Sequence, residues 1–413
     1  MRANLIAALI GMLCVVGCGG GGTSVGGGGG GTPKGANVQA VTVDSGPPPV
    51  ATSNSPAINT LYTTVRVCVP GTSTCQDIDH IQVDTGSSGL RIITTALTLS
   101  LPLQKDSNGN VIAECTQFVD GSSWGPFRLA DIKISGEIAS NQAVQIIYDP
   151  AYPIQKGYAC GTGTTPANPV QAFGANGILG VGPFLQDCGS SCVQQGGVYY
   201  TCTSGTTCAT GGMPLALQIT NPVAAFATDN NGVIVQLSPV SGTVGSVSGS
   251  LIFGIGTQGN NGLGNAKVFT FNQSGNLTTT YKNTSLSRGF IDSGSNAYYF
   301  TDASIHVCGS SGETTKAPGF FCPSGTLNLS ATIMGGNGTS SAINFNVTNA
   351  DSLFSTGTVI AAASDLAGSS ASITTASLSG AFDWGLPFYF GRSVYTAIEN
   401  QNTSAGMGPY FAF

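Results

Sequence analysis

The chain has 413 residues, of which only 8% are charged, with a formal net charge of −6 and 60 glycines. That length holds one large or two medium domains. The acidity excludes the basic patches that recruit nucleic acid, and the lack of Lys-, Glu- and Leu-rich runs points to strands and turns rather than helices. Residues 1–17, MRANLIAALIGMLCVVG, place one early Arg before an apolar run. That run is too short and wrongly flanked for a membrane span, so it reads as a signal peptide.

The signal ends in Val15-Val16-Gly17-Cys18, which resembles the lipobox of bacterial lipoproteins. The resemblance implies cleavage before Cys18 and lipid on its thiol. Gly19 is not the Asp linked to inner-membrane retention, so an exported protein anchored to the outer membrane is expected. Membrane contact would then run only through the lipidated N-terminus. Residues 18–55, beginning with a Gly-rich run, read as a flexible tether.

Beyond residue 56, β-branched and aromatic residues are frequent enough to bury a core. Short strand-like runs follow in order: LYTTVRVCV, DIDHIQV, AVQIIY, GVIVQL, GSLIFGI, AKVFTF and SRGFI, separated by Gly, Asn, Ser and Pro. The pattern predicts a mostly β, antiparallel fold. SVYTAIENQ, by its alternation of Val394, Thr396 and Ile398, leans towards strand. Residues 185–215 carry four cysteines and read as a stapled surface loop.

Ten cysteines remain after Cys14 and Cys18 are set aside, an even number that suggests disulfides in an exported chain. Proximity favours Cys68–Cys75, Cys188–Cys192, Cys202–Cys208 and Cys308–Cys322, leaving Cys115–Cys160, although spacing alone leaves connectivity open. The rival use of Cys188 and Cys192 as metal ligands lacks support, because the two histidines, His80 and His306, stand elsewhere. No metal and no cofactor are expected.

IQVDTGSSGL, residues 81–90, runs from apolar residues into Asp84, and GFIDSGSNAYYF, residues 289–300, does the same at Asp292. One Asp at the end of an apolar strand is usually a turn or cap residue. Two such loops are what a pair of water-activating carboxylates needs. Gly permits a tight turn, and two acids in contact cannot both ionise easily, so they share a proton.

Here the chain resembles the pepsin-like aspartic proteases from about residue 60 to the end. Besides the two acid loops, ANGILGVG (175–182) resembles the segment that threads behind the family's first catalytic loop. WGLPFYFGRSVYTAIENQNTSAGMGPY (384–410) resembles its closing segment, and GSLIFGIGTQGNN (249–261) sits where the second lobe begins. The chain also resembles a bacterial domain family of unknown function. The resemblance implies a bilobal acid-protease fold, two antiparallel β lobes around a cleft, with lobes at 56–245 and 246–413.

Carried over by position, Asp84 and Asp292 become the catalytic dyad. Thr85 and Ser293 would cross-bond the loops, Gly86 and Gly294 allow the turns, and Ser87 and Ser295 bond the outer carboxyl oxygens. Residues 117–136 occupy the place of the flap, where Asp120 or Trp124 stands nearest the family's Tyr. Arg91 follows Leu90 where the family often has an aromatic; it would act on the dyad's charge, reach a substrate carboxylate or face solvent. The function implied is a monomeric, surface-anchored aspartic endopeptidase acting on peptides or proteins. Two alternatives are a weak or inactive scaffold of the same fold that binds peptides, and a structural or adhesive surface lipoprotein.

Overall fold

A computed structural model describes residues 35–118, 121–155, 158, 160, 165–272, 276–355, 359–370 and 380–413. The signal peptide, Cys18, the Gly-rich run and Asp120 lie outside these residues.

The protein is mostly β. Eight strands build the first half: β1 (Val38–Val43), β2 (Leu61–Cys68), β3 (Cys75–Asp84), β4 (Ser88–Ile93), β5 (Val111–Gln117), β6 (Ser122–Ile134), β7 (Glu137–Ile147) and β8 (Gly177–Val181). Among the described residues they belong to a fifteen-stranded sheet that also takes in strands 232–237, 247–253, 393–397 and 410–412. A seven-stranded sheet contains strands 284–291, 298–300, 327–334, 340–347 and 381–384. The large sheet runs across the expected boundary at residue 245, since strand 232–237 pairs with both 247–253 and 393–397.

The expected tether ends earlier than residue 55. Residues 38–43 form β1, which pairs antiparallel with Val247–Phe253 over six residues and with Leu61 and Tyr62 of β2. Its Val41 and Val43 are buried. Val41 and Val43, two residues apart in VQAVTV, supply the buried face of a strand.

β3 explains how an acid is delivered to the interior. Pairing with β2 slips between Thr63 and Val65, opposite His80, whose φ is 46°. The extra residue is a bulge. Beyond it Ile81, Gln82, Val83 and Asp84 are all buried, so the strand ends inside the protein. β4 is buried throughout, as suits a strand between the parallel β7 and the antiparallel β8.

Five disulfides form with the pairing that proximity favoured: Cys68–Cys75, Cys115–Cys160, Cys188–Cys192, Cys202–Cys208 and Cys308–Cys322. Residues 185–215 are more than a loop. They hold a short helix, Ser191–Gln194, and a hairpin, Tyr199–Ser204 with Thr207–Thr210, whose first strand pairs with β5. Cys308, Cys322 and Asp351 cluster closely enough to suggest a metal, but both sulfurs are committed to a disulfide. No helix among the described residues is long and apolar enough to cross a membrane.

Candidate active site

The two halves present their acids in the same way. β3 pairs parallel with β8, and β8 pairs antiparallel with β4, so β8 threads between the strands before and after the first loop. Strand 284–291 pairs parallel with strand 381–384, which pairs antiparallel with strand 298–300. Asp84 stands opposite Gly180. Trp384 stands opposite Ile291, so Gly385 takes the corresponding place at Asp292.

Both threading glycines are required by space. A Cβ at Gly180 would lie 2.7 Å from Ser88 N and 2.8 Å from Ser87 Oγ; one at Gly385 would lie 2.2 Å from Ala297 O. Those neighbours are largely backbone and cannot retreat as a flexible side chain would.

The loops are joined to each other. Thr85 N donates to Ser293 Oγ at 3.1 Å and Ser293 N donates to Thr85 Oγ1 at 2.9 Å, while Ser293 Oγ donates onward to Val83 O at 2.8 Å. Gly86 N donates to Asp84 Oδ1 and Gly294 N to Asp292 Oδ1, each at 2.7 Å. Ser87 Oγ donates to Asp84 Oδ2, and Ser295 Oγ to Asp292 Oδ2 at 3.1 Å. The same four-residue loop is thus satisfied by the same bonds twice.

The carboxyls of Asp84 and Asp292 act on each other's ionisation. A Cβ at Gly294 would stand 2.6 Å from Asp84 Oδ1 and 3.1 Å from Asp292 Oδ1, so both acids converge above that glycine and any side chain there would strike them.

Both acids are buried, and burial raises both above the ordinary carboxyl range. Asp292 is pushed well above it, by burial first and then by the neighbouring charges of Asp84 and Asp383. For Asp84, bonds from Ser87, Asp292 and Gly86 and the more distant Arg91 charge pull back against burial. The upward push is the larger on Asp292, and the two acids titrate as a pair.

A family described as "Protein of unknown function (DUF3443)" matches residues 33–413. The chain belongs to that family. A comparison with curated proteins finds no match.

Two of the other expected site residues of this DUF3443 chain, Arg91 and Trp124, are buried. Arg91 is neither exposed nor free for a ligand: it is 0% exposed, with Nη2 3.3 Å from Glu114 Oε2 and 3.2 Å from Asp187 Oδ2. Its Nη1 donates to Ser88 O at 2.8 Å and its Nε to Thr116 Oγ1 at 3.1 Å. Arg91 thus clamps the start of β4, just beyond the first acid loop, onto β5. It sits in a fully buried strand, so it had no route to solvent.

Trp124 has its N–H committed within the protein. It is buried, donates from Nε1 to Tyr152 O at 2.7 Å, and packs against Tyr158 and Tyr200. Pairing of β6 with β5 holds it there, Trp124 opposite Cys115. Asp120, the other flap candidate, lies outside the described residues.

Two residues escaped the sequence reading. Tyr389 brings its hydroxyl to 2.8 Å from Thr85 Oγ1, tying the closing segment to the loop junction. Asp383 is buried beside the dyad, and neither of its carboxyl oxygens has a hydrogen-bond partner. The signal for Asp383 was present, as a lone acid inside the apolar run AFDWGLPF.

Proposed function

We propose that this protein is an aspartic endopeptidase with a bilobal, pepsin-like architecture, anchored to the bacterial cell envelope through lipid on Cys18. The observation that supports it most is the convergence of Asp84 and Asp292 above Gly294, on loops held by crossed bonds between Thr85 and Ser293. Ionised Asp84 accepts a proton from the attacking water. Protonated Asp292 donates to the carbonyl oxygen of the scissile amide. Water adds directly, and no covalent acyl-enzyme forms. Ser87 and Ser295 hold the outer oxygens and so fix which faces of the acids meet the substrate. The chemistry calls for no metal or cofactor, and the acting unit is a monomer with a peptide or protein as substrate.

The test is digestion of denatured peptides from about pH 3 to pH 8, a window spanning carboxyl and imidazole titration. Activity is expected to trace a bell whose limits belong to the pair. Protonation of Asp84 removes the base on the acid side, and ionisation of Asp292 removes the acid on the alkaline side. Because both acids lie above the ordinary value of 3.8, both limbs are expected above it. Absence of cleavage across the whole window would sink the proposal. Complete burial of both acids favours a second reading, a catalytically silent scaffold that binds peptides; binding without cleavage, equal in wild type and Asp-to-Asn variants, would select it.

Anchoring has its own test. Cys18→Ser is expected to move the protein from the membrane fraction to the soluble fraction after cell breakage. A Cys18→Ser protein that still sediments with membranes rejects the lipid anchor.

A further inference from the structure

The seven-stranded sheet and the closing segment border a cavity of about 630 Å³, within the size range of small-molecule sites. One wall is residues 328–330 and 344–346 of the hairpin formed by strands 327–334 and 340–347. Tyr298 and Asp365 also line it, as do Pro387, Phe390 and Arg392 of the closing segment. No residue of either acid loop does. The lining is mostly polar, which turns away an apolar occupant.

Tyr298 presents a polar group that packing does not require. Its ring lies 5.1 Å from Phe345 and edge-on to Trp384 at 5.8 Å, and the residue is 3% exposed. A Phe would pack the same ring. The hydroxyl has no hydrogen-bond partner among the described residues, and it is not sealed inside the protein, so it opens on the cavity. Burial raises it above its ordinary range, with Arg392 pulling it down and Asp365 pushing it up. It therefore stays neutral, able to donate and to accept.

Two opposite charges line the same space without pairing. Among the described residues neither Asp365 nor Arg392 forms an ion pair. Neutral groups meet each of them instead. Asp365 accepts from Ser364 Oγ at 2.8 Å and from Thr348 Oγ1 at 3.5 Å. Arg392 donates from Nη1 to Phe388 O and lies over the Phe388 ring, 4.6 Å from its centre. What each has left is hydrogen-bonding capacity: lone pairs on the carboxylate, and the Nε and Nη2 protons of the guanidinium. A ligand with one full charge would suit one of them and oppose the other. A neutral ligand that both donates and accepts suits both, and suits the Tyr298 hydroxyl as well.

We propose that this cavity binds a neutral saccharide. Sugar hydroxyls donate to Asp365 and accept from Arg392 and Tyr298, and the apolar C–H face of a sugar ring rests on Phe390 and Pro387. The rival occupant is a zwitterion such as a short peptide. It would meet both charges, but its ammonium and carboxylate would give up their water for groups that neutral partners already serve. The site is independent of Asp84 and Asp292, and occupying it involves no hydrolysis.

The test is calorimetry with neutral di- and trisaccharides of glucose, mannose and N-acetylglucosamine, and with glycylglycine as the zwitterionic probe. At least one saccharide should bind the wild type with a Kd of about 1 mM or tighter. Tyr298→Phe keeps the packed ring and should weaken that saccharide about 2- to 10-fold, the loss of one neutral hydrogen bond. Asp365→Asn and Arg392→Gln should each weaken it about 10-fold or more, the range for bonds to charged groups. Asp84→Asn should bind it as the wild type does. Three results overturn the proposal: no saccharide binds, affinity is unchanged in all three cavity variants, or glycylglycine binds and the saccharides do not.

Discussion

Replacement of either dyad acid by Asn is expected to lower peptide hydrolysis about 1,000-fold or more, within the range that positioned acid–base groups contribute. An amide has nearly the shape of the carboxyl it replaces but cannot take the proton of water or return one to the leaving group. Asp84→Asn removes the base and Asp292→Asn removes the acid. Neither should unfold the protein. Asp292 is already held neutral by burial and by its charged neighbours, so a neutral amide suits its surroundings. The crossed bonds through Thr85 and Ser293 do not involve either carboxyl. Steady-state cleavage with matched thermal unfolding separates the two effects. Asn variants that cleave as fast as wild type would place the chemistry elsewhere.

The largest effect on stability is expected at Arg91. It is one guanidinium shared by two buried acids, Glu114 and Asp187, of which Asp187 is pushed well above the ordinary carboxyl range by burial and by Glu114. Asp187 also accepts from Tyr199 Oη at 2.6 Å, and Oε1 of Glu114 has no partner. Arg91→Met leaves two buried acids facing one another, and removing one member of a buried ion pair costs about 3–5 kcal/mol. Urea denaturation at neutral pH should show that loss. Adding Glu114→Gln and Asp187→Asn should recover most of it, because the cost lies in the stranded charges and not in the missing contacts. A single variant within about 1 kcal/mol of wild type, the worth of an exposed pair, would mean that water reaches the cluster.

The dyad also sets how stability responds to pH. Asp84, Asp292 and Asp383 are all raised above the ordinary carboxyl value. Their stabilisation is fully present below the unfolded value near 3.8 and is lost as pH rises through the raised folded values. The site thus favours the folded state in acid.

Much of this arrangement was legible in the chain. Two apolar runs into Asp-Thr-Gly-Ser and Asp-Ser-Gly-Ser announced loops of one kind, because only such residues allow the turn and bond the carboxyl from within the loop. Proximity suggested four of the cysteine pairs and left Cys115–Cys160 as the remainder, and the structure forms all five. What was not legible depended on partners distant in sequence. Arg91 looked available until Glu114 and Asp187, contributed by two other segments, closed over it. Trp124 looked like a donor above the cleft, but its N–H was spent on Tyr152 O. β1 was hidden by the glycines before it, since a six-residue strand has too little periodicity to stand out until Val247–Phe253 pairs with it. Asp383 was visible as a lone acid in an apolar run, while its place in the strand beside the second acid loop emerged only from strand register.

β1 has a mechanical consequence. It begins at Val38, with residues 32–37 between it and the Gly-rich run that ends at Gly31, and lies between β2 and strand 247–253, with six register pairs to the latter. Inter-strand hydrogen bonds lie across the strand axis. A pull on the N-terminus is directed along β1, so it loads those bonds in shear, together, rather than peeling them apart singly. In a chain held by its N-terminus, load is thereby spread into the large sheet at the seam between residues 38–43 and 247–253.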